Sequence, residues 1–283
     1  MNKIHLTTIL YFTSLFCSSQ TSKLVEFENF INTLNKTKYY SISLAFQKYE
    51  TIFGDVNVST KDSAYVVFDK FYDRVNTRLS EDHQKVNSDF DILFNNYQDE
   101  IKYEIPQMII SYKKELNENG FDIYTTEGFT YIDEDRNYIS KNFYKYISPI
   151  MKEYCSFINI NKKEGTWNDG NLMISLIQLG KRALWLEKFI KENENFILLS
   201  DCKEQYRIYL SDLLNESIKE FEINNCWSVE RYRDGLNFII LEYPETETAK
   251  LVLPFYELLL NKKIIEAEKY KENFFNKGID IKN

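Results

Sequence analysis

Apolar side chains recur at intervals of three and four through most of the chain, the periodicity of amphipathic helices. Leu24, Phe27, Ile31 and Leu34 form one such stripe between Lys23 and Asn35, and a second runs from Ser41 to Phe53 and stops at Gly54. A third, with Ala64, Phe68, Phe71, Val75 and Leu79 on one face, is expected to begin near Thr60, a residue type that caps helix N-termini well. From Glu81 the stripe Val86, Phe90, Leu93, Phe94, Tyr97 and Ile101 continues to Pro106, where a missing backbone donor should break or kink it. A shorter helix then reaches Leu116 and ends at Asn119-Gly120.

The pattern changes in GFDIYTTEGFTYIDED. Two β-prone runs, 121–125 and 129–132, flank Thr126, Glu127 and Gly128, which predicts a small hairpin and a seam between two helical lobes. Helix resumes from about Glu134 with Tyr138, Ile139, Phe143, Tyr146 and Ile147, and Pro149 opens the next at a position that favours proline. After the polar stretch NKKEGTWNDGN, expected to be a loop, come helices near 172–192, 201–215, 228–243 and 246–261 and a charged terminal helix from Ile264. Only 8 glycines and 4 prolines interrupt the chain, too few for a sandwich or barrel, which needs turn residues every few positions. The expected fold is therefore mainly α, an irregular bundle or short helical-repeat array of antiparallel helices, with one small β-hairpin near residues 121–132.

At the N-terminus Lys3 precedes a mostly apolar run from Ile4 to Phe16, followed at once by CSSQTSK. One positive residue, a short apolar segment and small side chains are the layout of a secretory signal. The run is shorter than the roughly 20 residues of a spanning helix. With Cys17 and Ser19 as the small residues before the cut, residues 1–19 are expected to leave as a signal peptide and residues 20–283 to form one helical domain, located in the periplasm or secreted. Two alternatives stand beside this reading. Cys17 could accept a lipid and anchor the protein, although Phe16 fits that signal poorly, or the segment could be a buried helix of the domain.

Composition removes several classes of function. A net charge of −8, with no basic stripe, argues against nucleic acid. No later apolar run is long enough to span a membrane. Cys155, Cys202 and Cys226 are too few and odd in number for a disulfide framework, leaving one bridge plus a thiol or three buried small hydrophobes. With His5 in the signal, His83 is the one remaining histidine, so neither a histidine zinc site nor a catalytic triad is expected. Glycine-rich phosphate loops, GxGxxG turns and GxSxG elbows are absent from the sequence, and no cofactor is expected. Asp133, Asp135 and Asn137 begin like a calcium loop, but Tyr138 and Tyr144 occupy the positions that need Gly and the bidentate Glu.

The last third contains an internal echo. FIKENENFILLSDCKEQYRIYLSDLL starts at Phe189 and FIILEYPETETAKLVLPFYELLLN at Phe238, each a helix end, a polar link, and a helix closing on Tyr and paired leucines. Tyr243, Pro244, Thr246 and Ala249 resemble the Tyr-Pro-x-(Ser/Thr)-x-x-Ala link of tetratricopeptide-type repeats in bacterial envelope proteins. Over about half the chain, including EGFTYIDEDRNYISKNFYKYIS and LEKFIKENENF, the sequence is similar to uncharacterised exported helical proteins of Bacteroides- and Flavobacterium-type bacteria. The resemblance implies an envelope or secreted location and transfers no activity.

Candidate contact residues follow from loop position and residue type. Trp167, set among Gly165, Asn168, Asp169 and Gly170, has few local neighbours to bury it and could stack on a ligand or partner. Glu127, Asp133, Glu134, Asp135 and Asp169 are the acids in or beside expected loops, where sites concentrate. Two functions are consistent with this set. One is a non-enzymatic helical module that binds an unidentified protein or extended ligand in the envelope. The other is a carboxylate-dependent hydrolase acting on glycan or peptide, with aromatic platforms.

Overall fold

The computed structural model describes residues 21–86, 104–126, 129–168, 171–222 and 235–276. The chain divides into two compact units, 1–159 and 160–283. In the first, helix α1 covers 21–33 and is followed by α2 (Tyr40–Phe53), α3 (Val58–Val86) and α4 (Gln107–Glu118). Strands β1 (Phe121–Thr126) and β2 (Phe129–Glu134) pair as an antiparallel hairpin, and α5 (Asn137–Phe143) and the larger part of α6 (Pro149–Glu164) complete the unit. The second unit holds β3 (Trp167–Asn168), β4 (Asn171–Leu172), α7 (Leu176–Glu192), α8 (Leu199–Glu222), α9 (235–242), α10 (Glu247–Leu260) and α11 (Ile264–Asn276). The fold is mainly α with a small hairpin, as the periodicity indicates.

Several boundaries differ from the sequence expectation for identifiable reasons. Helix α3 begins at Val58, two residues before Thr60, because the Asn57 side chain accepts the Thr60 N–H at 2.9 Å and takes the cap. Helix α5 begins at Asn137 and not near Glu134, because Glu134 pairs with Phe121 at the end of the hairpin. The units divide inside α6, and the hairpin lies within the first unit. The stretch 161–171 is not a plain loop: α6 runs on to Glu164, and Trp167 and Asn168 pair with Leu172 and Asn171. The stripe from Phe90 to Ile101 and the helix expected over 228–234 lie outside the described residues.

The core of the first unit is built from rings. Phe143 is fully buried, with ring centroids 4.4 Å from Phe68, 4.9 Å from Tyr49, 5.1 Å from Phe46 and 5.3 Å from Tyr65. Tilted and edge-to-face pairs of this kind contribute about 0.5–1.5 kcal/mol each beyond the area they bury. The buried phenols also need hydrogen-bond partners, and they find them on backbone carbonyls. Tyr49 donates to the Lys61 carbonyl and Tyr72 to the carbonyl of Gly120, which sits at φ 91° where α4 turns into β1. A Cβ at Gly120 would lie 2.9 Å from both Tyr138 and Tyr72, so glycine is required there by space as well as by conformation.

In the second unit, α7 and α9 approach at small residues. Gly180 of α7 meets Ile239, and Gly235 of α9 meets Leu176; a Cβ on either glycine would come within 2.7 Å of its neighbour. Buried Leu179, Ala183 and Leu186 of α7 and Tyr206, Leu210 and Leu213 of α8 fill this core. Cys155 and Cys202 are buried free thiols, one in each unit, and burial pushes each pKa up to about 12. They act as small hydrophobes, as the odd count suggests. Cys226 lies outside the described residues.

Candidate functional site

The residues singled out by sequence fall into separate units: Trp167 in the second, Asp133 and Asp135 in the first. Glu127 and Asp169 lie outside the described residues, as does the signal segment with Cys17 and Ser19. The side chain of His83 is likewise outside them.

The best-formed candidate is the short arm that carries Trp167. Helix α6 ends at Gly165, whose φ of 70° and whose N–H bond to the Asn161 carbonyl at 3.0 Å turn the chain sharply out of the helix. Thr166 then accepts the Met173 N–H at 2.9 Å, and the two-residue strands pair Trp167 with Leu172. So short a ribbon is marginal by itself. Arg182 holds it from beneath. This side chain, only 4% exposed, donates to Thr166 Oγ1 at 2.6 Å, to the Gly165 carbonyl at 3.1 Å and to Glu164 Oε2 at 3.0 Å. Its guanidinium carbon lies 5.9 Å from the centre of the Tyr209 ring. Tyr209 in turn is met by the buried Asn161 amide at 3.3 Å, so a connected polar cluster underlies the arm. Gln178 adds a bond to Glu164 Oε2 at 2.6 Å.

On this support the indole of Trp167 is fixed at its edge. Nε1 donates to Asp212 Oδ2 of α8 at 3.0 Å, yet the residue remains 40% exposed. Met173, adjacent on the same arm, is also exposed. An oriented, half-open indole exposes part of an apolar plane, the feature that stacking recognition uses. Neither Arg182 nor Asp212 is singled out by the sequence reading. Arg182 carries a legible signal, a charge at a stripe position between buried Leu179 and Leu186, whereas Asp212 has none.

The carboxylates of the first unit are engaged in local structure. Asp133 Oδ1 accepts the Glu134 N–H at 2.8 Å and the Asn76 amide at 3.1 Å. Asp135 Oδ1 accepts both the backbone and side-chain nitrogens of Asn137 at 2.9 and 2.8 Å, capping the start of α5. Glu134, between them, pairs at 3.0 Å with Arg136, which also reaches Asp69 at 2.9 Å, Asn159 at 3.0 Å and the Tyr65 hydroxyl at 3.4 Å. Burial opposes the charge on Arg136, but Asp69, Tyr65 and Glu134 together outweigh it and raise its pKa. This inward network is structural in form, with each donor aimed at a partner of the same unit. Among the described residues no group of three or more His, Cys, Asp or Glu side chains could hold a metal ion.

No helix among the described residues is long and apolar enough to cross a membrane. No family model matches the chain, and neither curated proteins nor solved structures contain a significantly similar one.

Proposed function

We propose that this chain is an exported protein of the bacterial envelope, periplasmic or secreted after removal of residues 1–19, and that it binds another protein or an extended ligand without catalysing a reaction. The observation that carries the binding role is the Trp167 arm: a buried arginine, three hydrogen bonds and an Asp212 contact hold one indole in a fixed, half-exposed position. The hydrolase reading gains nothing comparable, because Asp133 and Asp135 belong to the other unit from Trp167 and both accept local donors. Export is supported by the composition of the first 19 residues and by the resemblance noted above.

Two measurements test the proposal. Affinity capture from envelope extract, performed side by side with wild-type protein and Trp167→Ala, is expected to recover a reproducible species with the former and to lose it with the latter. Equal recovery by both, or no reproducible species, overturns the assignment of the arm. The intact mass of protein purified from its native host is expected to begin at Gln20. A retained Met1 overturns export, and a lipid on Cys17 replaces free secretion with anchoring.

A further inference from the structure

The outer face of the β1–β2 hairpin is a second surface, in the other unit from Trp167. Strand alternation sends Phe121, Ile123, Thr130 and Ile132 inward, where all four are buried, and turns Asp122, Tyr124, Tyr131 and Asp133 outward. The register places Tyr124 directly opposite Tyr131 and Asp122 directly opposite Asp133. The two rings stack with centroids 5.4 Å apart and planes inclined by 21°, and Tyr124 is 48% exposed. A rigid aromatic plane thus adjoins two carboxylates.

This pairing does not serve the hairpin. Like charges directly opposite one another destabilise antiparallel strands. The donors that reach the two carboxylates are neutral: the Ile123 N–H for Asp122, and the Glu134 N–H and Asn76 amide for Asp133. Among the described residues no Lys or Arg forms an ion pair with either, and the neighbouring Arg136 is turned to Asp69 and Glu134. The same contacts also decide how a partner can approach. The N–H groups of Ile123 and Glu134 are taken by the aspartates, and the Ile132 carbonyl is taken by Ser80, so both edges of the ribbon are blunted against an added strand. Docking must go through the side chains of the face.

We propose that this face docks a basic segment of a partner protein, with an arginine side chain laid on Tyr124 and forked onto Asp122 and Asp133. Charge complementarity commits the occupant: two uncompensated carboxylates on a chain of net charge −8 call for a cation. The stacked tyrosines present ring faces that attract cations. Outward residues two apart on a strand lie about 7 Å from each other, a span that a guanidinium with its planar fork of donors can bridge.

The test is fluorescence anisotropy with the full chain and a fluorescein-labelled octapeptide of alternating Arg and Ser. Saturable binding is expected, weakened about tenfold or more by the pair Asp122→Asn and Asp133→Asn and by Tyr124→Ala. Asparagine keeps an oxygen for the Ile123 and Glu134 N–H groups, so the hairpin edges stay capped; unchanged thermal unfolding verifies this. A control pair on exposed acids of the other unit, Glu204→Gln and Glu257→Gln, should change affinity by less than about twofold at physiological salt. No saturable binding, full affinity in the Asp122/Asp133 variant, or an equal loss in the control pair each overturns the proposal.

Discussion

Removing the Glu187 carboxylate should unfold the second unit more easily than any other single truncation of a polar side chain there. Glu187 sits on α7 at 2% exposure and reaches across to the start of α10. Its Oε1 accepts the Glu247 N–H at 2.8 Å, and its Oε2 accepts the Thr248 N–H at 2.8 Å and hydroxyl at 2.6 Å. Thr246 supplies the rest of the cap, accepting the Ala249 N–H on its hydroxyl and giving its own N–H to the Tyr243 carbonyl. The four donors that every helix start leaves over are thereby all satisfied, two of them by a residue 60 positions away. Hydrogen bonds to a charged acceptor contribute about 1.5–3 kcal/mol each, and buried donors left unmet cost about 1–3 kcal/mol each. Relief of the burial of the charge itself offsets part of this, so we expect Glu187→Ala to cost about 3–5 kcal/mol. That is a fall in melting temperature of roughly 10–15 °C for a unit of this size.

The pH dependence should follow. Burial alone pushes the Glu187 pKa up, but the Lys191 ammonium and the donors of Thr248 and Glu247 outweigh it and hold it below the ordinary carboxylate range. Its stabilisation is therefore complete above the unfolded-state pKa of about 4.3 and is lost as pH falls through the lower folded value. Calorimetric unfolding of wild type, Glu187→Ala and Glu187→Gln from neutral to acid pH checks both statements. The gap between wild type and Glu187→Ala should close at low pH. A loss under about 1 kcal/mol at pH 7, or a gap independent of pH, refutes the reasoning.

Three further outcomes are expected. Arg136→Met should cost about 3–5 kcal/mol by leaving Glu134 and Asp69 facing each other without a cation, and adding Glu134→Gln should recover part of that loss in denaturant titration. Gly120→Ala combines a positive φ with a Cβ 2.9 Å from two buried tyrosines, and should lower stability by about 2–5 kcal/mol, read by thermal unfolding. Asn57→Ala removes the cap of α3 and should cost about 1 kcal/mol, with no change in the far-ultraviolet circular dichroism of the folded state.

Much of the architecture was legible because helix periodicity is a local signal. Leu24, Phe27 and Ile31, or Phe68, Phe71 and Val75, mark buried faces without reference to anything distant, and Phe27, Ile31, Phe68, Phe71 and Val75 are all buried. The hairpin was legible for the same reason. The start of α3 lies just before Thr60 because Asn57 and Thr60 are both competent caps and only geometry selects between them. The arm at 166–173 has no strand signature in the sequence because its two-residue strands carry no alternation, and what fixes them is Arg182, on a different element. Loop position singles out Trp167, which is 40% exposed, and equally Asp133 and Asp135, each of which accepts local donors. Whether an acid faces a ligand or caps its own backbone depends on a dihedral angle, which composition does not encode.

The 21 tyrosines and 21 phenylalanines look interchangeable in a composition table, but among the described residues the buried ones are held in two different ways. Phe143 packs ring against ring, while Tyr49, Tyr72 and Tyr206, equally buried, also have their oxygens tethered to a passing carbonyl or to Thr248. Volume alone would let either residue drift into the other under mutation. The tethers forbid it in one direction and the ring packing in the other, so descendants of this chain should keep the hydroxyl pattern long after their aliphatic residues have been exchanged.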